Sequence, residues 1–85
     1  MPIQLMLEPY IGAAMRLAKY ESLEDGTYYG EILGIQGVFS NASTLEECRD
    51  LLREVLEGWL LVSFDHRLSI PIIDGIDLRP EKDIT

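Results

Sequence analysis

The fold of this chain is decided by residues 43–64, which read STLEECRDLLREVLEGWLLVSF. Apolar residues recur there at spacings of three and four, the period of one face of an α-helix. Charged residues mostly fill the opposite side of the same helix. The predicted apolar face is broad enough to lie on a sheet and contains Leu45, Cys48, Leu51, Leu52, Val55, Leu56, Trp59, Leu60 and Val62.

The start of this helix is marked twice in the sequence. Ser43 with Glu46, and Thr44 with Glu47, each have the S/T-x-x-E spacing of a capping box. In such a box a hydroxyl and a carboxylate satisfy amides that the first helical turn leaves unpaired. The sequence therefore predicts a helix that begins at residues 43–44.

Three strands are predicted before the helix. Residues 16–23 alternate with a period of two, residues 27–33 are rich in strand-forming side chains, and Asp25-Gly26 between them is a strong turn pair. These two segments predict a hairpin. Residues 38–41 follow a loop that has glycine at both ends, Gly34 and Gly37, and predict a third, shorter strand.

Both flanks of this unit carry weaker signals. Residues 7–15 have helical spacing, with Pro9 expected in the first turn, although an irregular arm is an open alternative. Residues 69–73 predict a short strand, and Pro71 restricts it to a sheet edge. Asp74-Gly75 predicts a turn after that strand.

The predicted fold class is therefore α+β, in the order α-β-β-β-α, with the long helix packed on a three-stranded antiparallel sheet. Tyr28, Ile32, Val38 and Leu17 are the strand residues expected to face the helix. A chain of 85 residues makes one domain, 1–85. Its core is expected at about 16–74, and residues 77–85 form a charged segment expected to be mobile.

Composition limits the classes of partner. Seven Lys and Arg stand against fifteen Asp and Glu, a net charge of −8. Nucleic-acid binding depends on neutralising phosphates with cations, so we do not expect it of the isolated chain. The same charge favours a basic protein partner. One cysteine, no visible signal peptide and no long apolar run predict a cytoplasmic protein with no membrane segment.

No residue pattern predicts catalysis, and we expect no catalytic residues, no metal site and no cofactor site. His66 is expected at the helix end near unpaired carbonyls, and Cys48 as an inert buried thiol. A two-metal site needs several converging carboxylates. The only candidate carboxylates for such a site are Glu21 and Glu31 on the strands, with Glu24 and Asp25 at the turn. Three arrangements of Glu21 and Glu31 stay open: they are cross-strand neighbours, they lie on opposite faces, or they bind cations.

Two groups of residues are predicted to contact other proteins. Tyr28 and Tyr29 point to opposite faces of their strand, so one of them is an exposed aromatic of the kind enriched at interfaces. The end of the long helix is more apolar than one small sheet needs. A homo-oligomer, a dimer or a tetramer, is therefore predicted, with an interface formed by Trp59, Leu60, Leu61 and Phe64.

The order of short motifs resembles the HicB antitoxin family, of the UPF0150 type. The residues that carry the resemblance are 24–29 (EDGTYY), 34–38 (GIQGV) and 44–48 (TLEEC). The family pattern has a strand beginning with Tyr, a Pro-x-Leu-Pro-Gly loop, a short strand and Thr-x-Glu-Glu-Ala opening the helix. Leu33 and Gln36 stand where the family usually has Pro, and Cys48 replaces the usual Ala.

The resemblance implies a partial ribonuclease-H-like fold that lacks the catalytic carboxylates. It also implies a non-enzymatic antitoxin that sequesters a small basic toxin ribonuclease of the HicA type. Tyr29, Glu31 and Gln36 are the residues predicted to contact that partner.

Two other functions stay open at this point. One is an RNA-binding protein of RNA metabolism, because small RNA-binding domains share the α-β-β-β-α order. The other is a weak or degenerate nuclease. Steep salt dependence of RNA binding distinguishes the first alternative, and metal-dependent cleavage distinguishes the second.

Overall fold

The computed structural model describes residues 3–78 of the protein, and the side chains of residues 6–78. Two helices and three strands follow one another in the predicted α-β-β-β-α order, which confirms the α+β class. The elements are α1 (Ile3–Met15), β1 (Ala18–Ser22), β2 (Tyr28–Ile32), β3 (Phe39–Ala42) and α2 (Leu45–Asp65).

Helix α2 begins at one of the two predicted capping boxes. Thr44 is the N-cap, and its Oγ1 accepts the backbone N–H of Glu47 at 3.1 Å. The same hydroxyl donates to Glu47 Oε1 at 3.0 Å. Thr44 with Glu47, rather than Ser43 with Glu46, therefore fixes the start of the helix.

One narrow row of α2 side chains is buried. Its members step by four and then by three residues, and the row ends at Ser63, a position that the apolar pattern did not include. The predicted face was too wide, because Leu45 and Leu51 are exposed and Val62 is 52% exposed. A three-stranded sheet covers only the row of residues that lies directly over it. The buried residues are Cys48, Leu52, Leu56, Leu60 and Ser63.

The sheet has the order β1-β2-β3, and both pairs are antiparallel. The predicted Asp25-Gly26 turn connects β1 to β2. Leu23 N donates to Thr27 O at 2.8 Å, and Gly26 has a φ of 85° that few other residues adopt. Asp25 Oδ1 accepts the backbone N–H and the hydroxyl of Thr27, which holds the pKa of the Asp25 carboxyl below its usual value.

Alternate strand residues face α2, which packs across β2 and β3. Of the four predicted residues, Ile32 and Val38 are buried, Tyr28 is half-buried and Leu17 is 39% exposed. The prediction for Leu17 was wrong because Leu17 precedes β1 and shares the alternation of Lys19 and Glu21, which lie on the opposite face of the sheet. Ala18 and Tyr20 therefore supply the helix-facing positions of that strand.

Gly30, in the middle of β2, lets the sheet and α2 approach closely. A Cβ at this position would lie 2.9 Å from the Tyr20 ring and 3.2 Å from Cys48 Sγ. Beside it, Ser40 Oγ donates to the carbonyl of Cys48 at 2.8 Å, which ties β3 to the first turn of α2. The absence of a side chain on residue 30 is thus a packing requirement.

Helix α1 begins at Ile3, earlier than the predicted start at residue 7. Pro9 consequently lies inside the helix rather than in its first turn, and it removes one backbone hydrogen bond there. Tyr10, Ile11, Ala13 and Ala14 belong to the core. The core therefore extends on the N-terminal side beyond the expected limit at residue 16.

The C-terminal segment packs on α1 instead of joining the sheet. No strand forms at residues 69–73, so the predicted edge strand is wrong. The hydroxyl of Tyr10 donates to the carbonyl of Pro71 at 2.7 Å. Burial raises the pKa of Tyr10 to about 12. An isolated bridge between Ile73 and Ile76 closes the predicted Asp74-Gly75 turn.

The segment expected to be mobile from residue 77 has a buried side chain at its second residue. Leu78 is 1% exposed and belongs to the core cluster. The core thus continues past the expected limit at residue 74, while residues 79–85 lie outside the described part of the chain.

Candidate functional site

The sheet has a second face that α2 does not cover. We call this the open sheet face. The strand register brings its residues into two cross-strand rows, with Glu21 opposite Tyr29 and Lys19 opposite Glu31. On the other side of β2, Tyr29 is opposite Asn41 and Glu31 is opposite Phe39. The open sheet face is formed by Lys19, Glu21, Tyr29, Glu31, Phe39 and Asn41.

Two aromatic rings are the largest side chains of this face. The rings of Tyr29 and Phe39 stack, with centroids 6.2 Å apart and an interplanar angle of 26°. Phe39 is the first residue of the edge strand β3, and it is 55% exposed. Exposed stacked aromatics on a rigid sheet are typical of a binding surface, because they bury much area at little cost in side-chain entropy.

Carboxylates surround the aromatic pair. The Tyr29 hydroxyl donates to Glu31 Oε1 at 3.0 Å. This hydrogen bond, followed by desolvation and the charges of Glu31 and Glu21, raises the pKa of Tyr29. Glu21 and Glu31 are diagonal neighbours on one face, because their directly opposite partners are Tyr29 and Lys19. The two carboxylates are therefore cross-strand neighbours on one face, placed diagonally and not directly opposite each other.

The connection from β2 to β3 borders the open sheet face. Ile35 and Val38 are buried and fix this loop to the core. Gly34 and Gly37 have φ angles of 90° and 89°, which make the two sharp bends possible. Between the bends, the side chain of Gln36 is left exposed.

All three residues predicted to contact a partner line one cleft. The cleft lies between the loop and the open sheet face and has a volume of about 300 Å³. Tyr29 and Glu31 form one side, and Gln36 lies on the loop side. The structure thus brings together residues that the sequence suggested separately. Their role in binding stays a prediction.

Besides Asn41, two residues of this surface were missed from the sequence. Phe39 stacks on Tyr29 and also lines the cleft. The alternation of β3 contains the signal, since Val38 points inward and Phe39 therefore points outward. Lys19 is the other, and its position opposite Glu31 depends on the register of the hairpin, which the sequence did not give.

The two other side chains considered for chemistry, those of Cys48 and His66, occupy positions that stabilise the fold. Cys48 is buried, with its Sγ 3.3 Å from Ser40 Oγ, as expected of an inert thiol. His66 is the C-cap of α2, and its backbone N–H donates to Val62 O at 2.9 Å. Within residues 3–78 no group of three or more His, Cys, Asp or Glu side chains is arranged to hold a metal ion.

A second, more apolar cleft lies between α1 and α2, close to the predicted oligomer interface. Of that predicted interface, Leu60 is 1% exposed and belongs to the core, although it also lines this cleft. Trp59 and Phe64 are half-buried, whereas Leu61 is 67% exposed. This cleft, of about 290 Å³, is lined by Leu7, Glu8, Ile11, Glu57, Leu60, Leu61 and Phe64.

Comparison with known protein families gives a match over most of the chain. The UPF0150-like family matches residues 9–71, from α1 to the segment that follows α2. The chain belongs to the UPF0150-like family. The match confirms the resemblance noted from the EDGTYY, GIQGV and TLEEC motifs.

One solved structure similar to this UPF0150-like chain is the crystal structure of TTHA0281 from Thermus thermophilus. The two chains are 36% identical and superpose with a TM-score of 0.75. The similarity covers 80% of this chain and 85% of that one. No curated protein matches the chain.

UPF0150-like membership indicates a small protein of the toxin–antitoxin type, and the family is a non-enzymatic, antitoxin-type one. Within residues 3–78, neither helix is long and apolar enough to cross a membrane. Which partner this chain binds is a separate question, and it is addressed by the chemistry of its surfaces.

Proposed function

We propose that the chain is a non-enzymatic antitoxin that sequesters a small basic ribonuclease of the HicA type. The open sheet face and the adjoining loop would form the contact, with Tyr29, Glu31 and Gln36 at its centre. UPF0150-like membership supports the antitoxin class. The observation that carries the partner assignment is the stacking of half-buried Tyr29 on exposed Phe39, beside two carboxylates on one uncovered face.

Charge supports a basic partner over other candidates. The chain has a net charge of −8, and on the open sheet face Glu21 and Glu31 outnumber Lys19. Such a surface attracts a cationic protein and increases its association rate at low ionic strength. Binding would block the toxin by covering its surface, without any chemistry on the part of this chain.

An RNA-binding function is the second candidate, and one observation favours it. Aromatic rings on the uncovered face of a sheet, such as those of Tyr29 and Phe39, are the platform on which many RNA-binding domains stack bases. The same face nevertheless carries Glu21 and Glu31, which repel phosphates. A gel shift with mixed RNA at low salt separates the two candidates, and clear, steeply salt-dependent binding would favour RNA.

The test of the proposed function uses the product of the reading frame beside the gene for this chain. We expect that product to be short and basic, with a single histidine. Purified together with this chain, it should form a stable complex and lose its RNA cleavage activity. A product that neither binds this chain nor is inhibited by it would refute the proposed function.

Matched variants locate the contact. Glu31→Gln combined with Tyr29→Ala removes a carboxylate and an aromatic ring from the open sheet face and should abolish inhibition. Glu24→Gln removes one negative charge from the exposed end of the hairpin and should leave inhibition intact. Loss of inhibition with both variants would indicate an effect of overall charge instead.

We further propose that the chain is a homo-oligomer whose subunits meet at the end of α2. The exposed side chain of Leu61, beside half-buried Trp59 and Phe64, supports this proposal. Leu61→Glu should give a folded monomer in analytical ultracentrifugation. An unchanged sedimentation coefficient would place any subunit contact elsewhere. The cytoplasmic location and the absence of a cofactor remain predictions from composition.

A further inference from the structure

We propose that the open sheet face accepts one arginine side chain of the partner, held between Glu21 and Glu31 and packed against the ring of Tyr29. This inference rests on the proposed function, because it names the chemical group by which a basic protein would be recognised. It concerns the β1–β2 half of the face, outside the loop cleft that contains Gln36.

A separate cleft exists at this position. It has a volume of about 290 Å³ and is lined by Lys19, Tyr20, Glu21, Tyr29 and Glu31. Tyr29 and Glu31 border both this cleft and the loop cleft. A partner that fills the loop cleft therefore has this second cleft, which we call the arginine cleft, directly beside it.

The geometry of the two carboxylates suits a group with several donors. Glu21 and Glu31 are diagonal neighbours on adjacent antiparallel strands. The Cβ atoms of such neighbours are roughly 7 Å apart, so flexible glutamate side chains can converge on one bound group. A guanidinium carries five N–H donors in a planar fork, and it can bond to two carboxylates at once.

Both carboxylates have acceptor capacity left. Tyr29 donates to one oxygen of Glu31, which orients that carboxylate. Among the side chains of residues 6–78, none forms a hydrogen bond or salt bridge with the Glu21 carboxylate, and none forms a salt bridge with Glu31. An ionised carboxylate accepts up to four hydrogen bonds, so most of the acceptor sites remain for a ligand.

The tyrosine ring selects a planar cation. Phe39, on β3, stacks on Tyr29, while the directly opposite residue on β1 is Glu21. The side of the ring nearer β1 therefore belongs to the arginine cleft. An arginine stacks on an aromatic face more favourably than lysine, because the guanidinium is flat and weakly hydrated.

Lys19 competes with the ligand for the same site. It lies directly opposite Glu31 and lines the arginine cleft. Its ammonium group repels an incoming cation and offsets part of the attraction of the two carboxylates. Removing this positive charge should therefore increase the affinity, so Lys19→Gln should strengthen binding of a basic ligand.

The experiment is an NMR titration of the ¹⁵N-labelled full chain with three blocked tripeptides. Their central residues are arginine, lysine and citrulline, which has the shape of arginine without the charge. We expect the arginine peptide to shift the amides of residues 19–21 and 29–31. It should bind about two- to fivefold more tightly than the lysine peptide, as a cation–π contact at an exposed site would give. The citrulline peptide should cause no shift.

Variants test the named residues. Glu21→Gln should weaken the arginine peptide about two- to fivefold, the range of an exposed charge pair, and Lys19→Gln should strengthen it. Glu24→Gln is the matched control and should bind like the unaltered chain. Equal affinity for the arginine and lysine peptides, shifts spread over the whole acidic surface, or equal loss in Glu24→Gln would overturn the proposal.

The outcomes separate this inference from the proposed function. If the toxin is inhibited but the arginine peptide shows no preference for this cleft, the inference fails and the proposed function stands. If the arginine peptide binds as described while the toxin is not inhibited, the proposed function fails and the arginine site stands.

Discussion

The two faces of the sheet use alternate residues of the same strands but have opposite chemistry. On the covered face, Gly30 of β2 lies against Tyr20 and the first turn of α2. One residue away on either side, Tyr29 and Glu31 lie on the open sheet face. The covered face carries small and apolar groups together with the half-buried rings of Tyr20 and Tyr28, whereas the open sheet face carries charged side chains around the two stacked rings.

Because successive side chains of a strand point to opposite faces, residues that determine stability and residues available for recognition alternate along each strand. On the covered face the size of each side chain matters, because even one carbon added at Gly30 would meet Tyr20 and Cys48. On the open sheet face solvent accommodates a change in size, so the charge and polarity of the side chain matter more. Changes on the covered face should therefore alter the free energy of unfolding, and changes on the open sheet face should alter binding.

The largest expected loss of stability comes from a residue of α2 that packs on the covered face of the sheet. Leu52 is fully buried beneath the sheet, so Leu52→Ala should cost about 2–5 kcal/mol of the free energy of unfolding. Leu51→Ala, at the exposed neighbouring position, is the control and should cost far less. Urea denaturation of both variants measures the difference. Equal costs would show that α2 does not pack as described.

Gly30→Ala sharpens the comparison within one strand. The new Cβ would meet the Tyr20 ring at 2.9 Å, so overpacking should cost about 1–3 kcal/mol. Glu31→Ala, at the next residue, should change the free energy of unfolding by less than about 0.5 kcal/mol. Thermal unfolding followed by circular dichroism compares them. A neutral Gly30→Ala variant would contradict the close approach of β1, β2 and α2.

A smaller effect of opposite sign is expected at the end of the buried row. Ser63 is buried, and its Oγ has no hydrogen-bond partner among the described residues. Ser63→Ala removes this unsatisfied hydroxyl and should stabilise the chain by about 1 kcal/mol. Chemical denaturation gives the value. A clear loss of stability would mean that the hydroxyl is paired in solution.

The smallest effect is a pKa change confined to the open sheet face. The hydrogen bond to Glu31 is the main cause of the raised pKa of Tyr29. In Glu31→Gln the phenolate no longer faces a carboxylate, so the pKa of Tyr29 should fall towards its ordinary value. NMR of ¹³Cζ-labelled tyrosine resolves this residue. An unchanged pKa of Tyr29 would mean that Tyr29 and Glu31 are not hydrogen-bonded in solution.

Much of the fold follows from local signals in the sequence. The Thr44–Glu47 cap, the helical period and the Asp25-Gly26 turn each involve neighbouring residues, and each is present as predicted. The uncovered position of Tyr29 also follows, because alternation along a strand is local. These signals were sufficient for the α+β class.

Contacts between distant parts of the chain account for the errors. Leu60 resembled an interface residue but is core, and Leu78 was expected in the mobile segment but is buried. Pro9 was expected to start α1, which instead begins at Ile3. None of these outcomes can be read from neighbouring residues, since each depends on which element packs against which. The position of Phe39 beside Tyr29 likewise required the register of β3, although its outward direction follows from local alternation.

The most direct test of the central claim is the footprint of a HicA-type toxin on the ¹⁵N-labelled chain. If the toxin binds the open sheet face, signals of residues 19–21, 29–31 and 36–41 should shift or broaden on binding. Amides lining the cleft between α1 and α2 should stay unchanged. A footprint centred on that cleft, with the open sheet face unaffected, would contradict the account.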